Sequence, residues 1–168
     1  MGACAALAGC SVARPATLEV EVRESLRTLL KKKGPTMHSV PPDATVLDAV
    51  RKMNRERIGA LLVMNGDDLV GIFTERDVLT RVVDRARDPA TTRVAEVMTS
   101  NPVVVTAAAT VNEAMAVVSE KRCRHLPVVE EGRLVGLVSA GDLTHWVTRN
   151  HEYHIQDLVN YITGKYPA

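Results

Sequence analysis

The chain has 168 residues, enough for one domain or for two half-size units that share a core. Hydrophobic residues make up 46% and aromatics only 3%, so the core must be aliphatic, which suits α/β architecture. With 21 basic and 20 acidic residues the net charge is +1, so no whole-chain field draws the protein to nucleic acid or to an anionic membrane.

Residues 1–17 read as a disordered tail. Leu7-Ala8-Gly9-Cys10 has the look of a lipoprotein cleavage box, but no Lys or Arg precedes it and the apolar stretch is too short for a signal peptide. Met1-Gly2 is followed by Ala6 where N-myristoylation wants Ser or Thr. No apolar run approaches the ~18 residues of a membrane helix. The three cysteines, Cys4, Cys10 and Cys123, form neither a disulfide framework nor a C-x-x-C metal pattern. A cytoplasmic location is expected.

Residues 18–33 are expected to form an N-terminal helix. Over Glu19–Lys32, Val22, Leu26, Leu29 and Leu30 share one face, and Gly34-Pro35 stops the run. Lys31-Lys32-Lys33 lies at its end, where cations suit the helix dipole.

Residues 34–86 then follow one plan. A short strand lies around His38–Val40. A helix carries Val46, Ala49, Val50 and Met53 at i, i+3, i+4, i+7. Strands Ala60–Met64 and Leu69–Phe73 flank the turn Asn65-Gly66-Asp67-Asp68, and a helix Glu75–Val83 closes the unit. A polar linker at 87–93 leads to residues 94–148, which open on a helical turn at Val94–Met98. The plan is then repeated: strand Val103–Val105, helix face Val111/Ala114/Met115/Val118, strands His125–Val129 and Leu134–Val138, helix Ala140–Val147. Thr45-x-x-Asp48 and Thr110-x-x-Glu113 are capping boxes. Residues 149–168 are expected to hold a terminal helix, Glu152–Ile162, and a tail.

The two units are one sequence duplicated. Thr45/Thr110, Arg57/Arg122, Gly71/Gly136 and Asp77/Asp142 are each 65 positions apart, with no gap from Val40–Val83 against Val105–Thr148. The order is β-α-β-β-α, twice.

The catalytic inventory is thin. There is no nucleophile elbow, no phosphate loop and no dinucleotide fingerprint. His151 and His154 are three apart where the metalloprotease step is four, and no third ligand is evident, so no metal site is expected. Cys123 stands between Arg122 and Arg124, which should lower its pKa, but at the edge of a strand it reads first as a partly buried small residue. The informative elements are Gly71-Ile72-Phe73-Thr74-Glu75-Arg76-Asp77 and Gly136-Leu137-Val138-Ser139-Ala140-Gly141-Asp142. Both run from a strand into a helix. Thr-x-x-Asp and Ser-x-x-Asp are helix caps. They also suit a phosphorylated ligand: the Gly allows close backbone approach, and a carboxylate can accept from both hydroxyls of a ribose.

These two elements, the Ala-Thr-Val helix starts and Arg124-His125-Leu126-Pro127-Val128-Val129 resemble the tandem cystathionine-β-synthase (CBS) pair, or Bateman module, over about residues 34–148. Gly164-Lys165-Tyr166-Pro167 and the residues before it are similar to the tail of stand-alone bacterial CBS-pair proteins and their plant organellar relatives. The resemblance implies two pseudo-symmetric α/β repeats (α+β in the arrangement of their elements) with two clefts for adenine nucleotides. Ser139 and Asp142 would hold a ribose whose adenine lies against Thr36–His38 and Ile58-Gly59-Ala60. Thr74 and Asp77 would serve the other cleft with Pro102-Val103 and Cys123–His125. Arg76 and Arg124 would meet phosphate, since Arg offers a bidentate fork. The second element has Ala140-Gly141 for Glu75-Arg76, so the clefts should differ electrostatically.

The leading expectation is a regulatory sensor that binds an adenosyl ligand (AMP, ADP, ATP, NADH or S-adenosylmethionine) and signals in trans to an effector protein. It requires no cofactor and is not an enzyme. A homodimer is expected, its interface drawn from the flanking helices with Leu26, Leu29, Leu30, Ile155, Leu158 and Val159. The competing readings are an adaptor that binds protein but no nucleotide, and, ranked lower, an enzyme using His38, His125 or Cys123.

Overall fold

The computed structural model describes residues 24–34 and 37–149. Each repeat folds around its own aliphatic cluster. In the first, β1 (Ser39–Val40) runs parallel to β2 (Ala60–Asn65), and β2 pairs antiparallel with β3 (Asp68–Thr74). In the second, β5 (Val105–Thr106), β6 (His125–Glu130) and β7 (Arg133–Ser139) repeat that order and those directions. Val40 pairs with Val63 and Val105 with Val128, so the 65-residue offset is also the register of the strands. The short strand of the second repeat starts at Val105 rather than Val103.

The amphipathic runs form α2 (Val46–Glu56) and α5 (Val111–Lys121), which bury Val46, Ala49 and Met53, and Val111 and Ala114. Thr110 and Glu113 make a full reciprocal cap. Thr45 makes half of one: its hydroxyl accepts from Asp48 N–H at 3.1 Å, and the carboxylate takes the Thr45 hydroxyl instead of its N–H. The helix expected over Glu75–Val83 is one α-turn, α3 (Glu75–Asp77), continued as a π-helix over Val78–Val83. The last described helix, α6, spans 140–149.

The flanking helices do not sit where chain order would put them. α1 (Leu26–Lys33) packs into the core of the second repeat. The short helix α4 (Val94–Val97), which precedes the second repeat in sequence, packs into the core of the first. Its continuation, β4 (Thr99–Ser100), adds a fourth strand beside β3. Equivalent bonds hold both dockings: Val111 N–H donates to Glu24 O (3.0 Å) and Val46 N–H to Thr92 O (2.9 Å).

This arrangement corrects three expectations. Ser25 is extended and bridges Thr110, so the helix starts at Leu26, and residues 18–23 lie outside the described residues. Leu26 and Leu29 are buried in the second repeat and Leu30 packs beside them, so this apolar face is not available to a partner copy. Gly136 is bare to admit Leu30, not a ligand: a Cβ there would stand 2.6 Å from Leu30 Cδ2. Gly71 likewise admits Met98, 2.5 Å from the same imagined atom. Ile155, Leu158, Val159, His151 and His154 lie outside the described residues.

Candidate functional site

Each repeat ends its hairpin where the next helix starts, and there the two Thr/Ser-x-x-Asp elements form. Thr74 N–H and Oγ1 both donate to Asp77 Oδ2 (2.9 and 2.7 Å), and Asp77 N–H donates back to Thr74 Oγ1 (3.3 Å). Ser139 and Asp142 repeat the pattern at 2.7, 2.7 and 3.1 Å. The capping reading is therefore satisfied in both. Capping occupies one carboxylate oxygen, Oδ2, and leaves Oδ1 for something else.

Within each repeat the element is tied to its own strand start: Glu75 N–H donates to Gly59 O (3.1 Å), and Ala140 N–H to Arg124 O (2.8 Å). Across the cavities each element faces the strand start of the other repeat. Two cavities result. One, about 360 Å³, is lined by Ser139 and Asp142 together with Met37, His38, Ile58, Gly59, Ala60 and His125. The other, about 350 Å³, is lined by Thr74, Arg76 and Asp77 together with Pro102, Val103, Cys123, Arg124 and His125. Both fall at the lower end of small-ligand pockets. Thr36 lies outside the described residues. The other residues expected at each cleft are gathered there, and Gly59 and His125 line both.

The clefts differ in charge, as Glu75-Arg76 against Ala140-Gly141 led us to expect. Arg76, Arg81, Lys121, Arg122 and Arg124 line the Asp77 cleft. Lys33 and Arg57 line the Asp142 cleft. Asp77 is buried; its Oδ1 lies 3.3 Å from Arg81, whose guanidinium also takes the Val97 carbonyl at 3.0 Å. Asp142 is more open. Burial by itself would raise its pKa, but the Lys33 ammonium and the Ser139 N–H and hydroxyl outweigh that and hold it below the usual carboxylate value. Burial, aided by Arg124, lowers the pKa of His125, so the ring between the clefts is neutral at pH 7.

Cys123 follows the leading one of its two readings, a partly buried small residue at the edge of a strand. Burial raises its pKa, so the flanking arginines do not make it a ready thiolate. The thiol sits partly buried beside the second core. His38 lines one cavity and Cys123 the other, with His125 on both, and no nucleophile–base hydrogen bond joins them among the described residues. No cluster of three metal-ligating side chains occurs among those residues either.

The CBS domain family model matches residues 34–84 and 94–149. The chain belongs to the CBS domain family. It is a tandem CBS pair, 34% identical over 164 residues to CBSX3, a mitochondrial CBS domain-containing protein of Arabidopsis thaliana, covering 91% of this chain and 80% of that one. Other Arabidopsis CBS-domain proteins are matched over only 20–22% of their own length. A solved CBS-domain structure from Burkholderia ambifaria MC40-6 superposes with a TM-score of 0.72 at 42% identity, covering 74% of this chain and 93% of that one. A hexameric CBS-CP12 protein from bloom-forming cyanobacteria superposes at 0.65 with 28% identity, covering 72% of this chain and 66% of that one. No described helix is long and apolar enough to cross a membrane.

Two arginines of this CBS pair, seen in the sequence only as a repeated pair, belong to the clefts. Arg57 and Arg122 occupy the same repeat position, each just past its helix, with φ of 54° and 51°. Glycine is the usual residue at such a left-handed cap. Arg57 lines the Asp142 cleft and Arg122 the Asp77 cleft. The available signal was an arginine retained in both copies where a helix stops. Replacing either with glycine should stabilise the unliganded protein by about 0.5–1 kcal/mol by relieving the backbone, while weakening any phosphorylated ligand at its own cleft. Thermal melts with and without ligand check both signs. A lower Tm without ligand would mean that the side chain is structural.

Proposed function

We propose that this CBS pair is a regulatory adenine-nucleotide sensor, which binds an adenosyl ligand such as AMP, ATP or NADH between its repeats and signals to a partner in trans. One observation carries the reading: in both clefts a Thr/Ser-x-x-Asp cap from one repeat faces the Gly59-Ala60 or Arg124-His125 strand start of the other, across a cavity of about 350–360 Å³. A ribose needs an acceptor beyond the cap, and Asp142 Oδ1 has no hydrogen-bond partner among the described residues. A flat base needs small neighbours, and Gly59 and Ala60 provide them. Phosphate needs cations, and the Asp77 cleft offers five.

A binder without chemistry of its own acts on its partner only through differential affinity for two states. A homodimer is part of this reading. With Leu26 and Leu29 engaged internally, the apolar side chains that remain for it include Leu79 and Val83, 63% and 65% exposed on the π-helix. The hexameric CBS-CP12 protein, of the same fold, supports self-association. The absence of a disulfide pattern in the sequence supports a cytoplasmic setting.

The test is calorimetric titration of the full chain with AMP, ADP, ATP, NADH and S-adenosylmethionine. At least one should give a saturable heat and a matching rise in melting temperature. No response to any of the five would leave the adaptor reading in its place.

A further inference from the structure

The Lys31-Lys32-Lys33 run ends α1, and the docking of α1 on the second repeat brings its last lysine to the Asp142 cleft. Lys33 Nζ donates to Asp142 Oδ2 at 2.7 Å and to Leu137 O at 2.9 Å. Lys33 and Asp142 also line a second cavity, between α1 and α6, so their ion pair stands between two hollows. Next to it, the Lys32 ammonium lies 4.5 Å from the centre of the Trp146 ring, which holds the end of α1 against α6.

The equivalent cleft is built differently. There the cation on the carboxylate is Arg81, from the helix that carries Asp77. Its counterpart 65 positions on is Trp146, which offers no charge. Counting instead from the paired bridges Ser25–Thr110 and Arg93–Thr45, the counterpart of Lys33 is Asn101. The helix of the Asp142 cleft thus has no arginine at the position equivalent to Arg81, and the cation on its carboxylate comes from the N-terminal helix.

We propose that Lys33 is the specificity-determining residue of the Asp142 cleft, making that cleft select a phosphorylated nucleotide over the bare nucleoside. The proposal rests on the nucleotide reading above. Asp142 Oδ1 is free among the described residues, but ribose hydroxyls that bind both carboxylate oxygens must share Oδ2 with the Lys33 ammonium. A nucleoside replaces a charge-assisted hydrogen bond with neutral ones and strips the ammonium of its counter-charge. A phosphate supplies a new counter-charge, which the flexible four-carbon stem of lysine can follow. The exchange is balanced for a nucleotide and unfavourable for a nucleoside.

The experiment uses the full chain carrying Asp77→Ala, so that the other cleft is silenced, with AMP and adenosine as titrants. AMP should bind more tightly than adenosine. Adding Lys33→Met, which keeps the aliphatic stem and the helix, should weaken AMP by roughly tenfold, the worth of one charge-assisted bond, and strengthen adenosine. Lys33→Arg should restore the preference. A preference that Lys33→Met leaves unchanged overturns the proposal and leaves the nucleotide reading standing. So does a wild-type chain that binds AMP while the Asp77→Ala chain does not, because the Asp142 cleft is then not a site. A wild-type chain that binds neither compound removes both. A melting temperature of Lys33→Met close to that of its parent verifies the fold.

Discussion

Leu26→Ala should destabilise the protein by about 3 kcal/mol, within the 2–5 kcal/mol range of buried leucine truncations, and lower Tm by roughly 6–12 °C. Leu26 is fully buried, and it lies among Val105, Val111, Leu126 and Val138 of the second repeat. Its removal costs the transfer energy of the side chain and leaves a cavity that the sheet cannot readily close. Chain order alone would make Leu26 an outlying residue of a flanking helix, with a cost near zero in a monomer. If that helix served a dimer interface instead, the loss would depend on protein concentration. The docking of α1 on the second core predicts a loss that is the same at every concentration. Melting curves over a hundredfold dilution series decide between these outcomes. The same substitution loosens the helix that carries Lys33, so it should also blunt the AMP-over-adenosine preference of the Asp142 cleft.

Asp77→Ala and Asp142→Ala should each weaken an adenine nucleotide at their own cleft by ten- to a hundredfold, about 1.5–3 kcal/mol, through the loss of charge-assisted contacts to the ribose. Both should also cost about 1 kcal/mol of stability without ligand, because each carboxylate completes a helix cap. Asp77→Ala should cost more of it. Asp77 is 5% exposed, and its removal leaves the Arg81 guanidinium with the carbonyls of α4 but without its carboxylate. Asp142 is partner to a half-exposed lysine that water can serve. Calorimetry and apo melting curves read the two effects separately. A pair of variants that melt lower but titrate like wild type would reduce both aspartates to caps, and the proposed function would lose its foundation.

Much of the cleft was readable before any coordinates. Thr74, Asp77, Ser139 and Asp142 declare themselves by recurring at one offset beside strand and turn signals. Their capping bonds are local, spanning three residues, so spacing encodes them. His38, Ile58, Gly59 and Ala60 for one cleft, and Val103, Arg124 and His125 for the other, came from family resemblance rather than from spacing. The structure gathers them on opposite sides of a shared Gly59–His125 wall.

Lys33 shows where such reading stops. In sequence it is the end of a basic run, and the dipole of α1 accounts for it. Its bond to Asp142 spans 109 residues. No periodicity marks a contact of that range. The same holds for Leu30 against Gly136, which looked like room for a ligand and is room for a helix.

The amino-acid sequence by itself determined the duplicated β-α-β-β-α plan, the strand register that follows its 65-residue offset, and the two capped aspartates, because each depends on neighbours a few positions apart or on an internal copy. Only the tertiary structure decided that α1 completes the second repeat and α4 the first, and hence that a lysine of the N-terminal helix rests on the carboxylate of the Asp142 cleft. That choice is made by which apolar face fits which open sheet, a contact between surfaces that the chain brings together only when it folds.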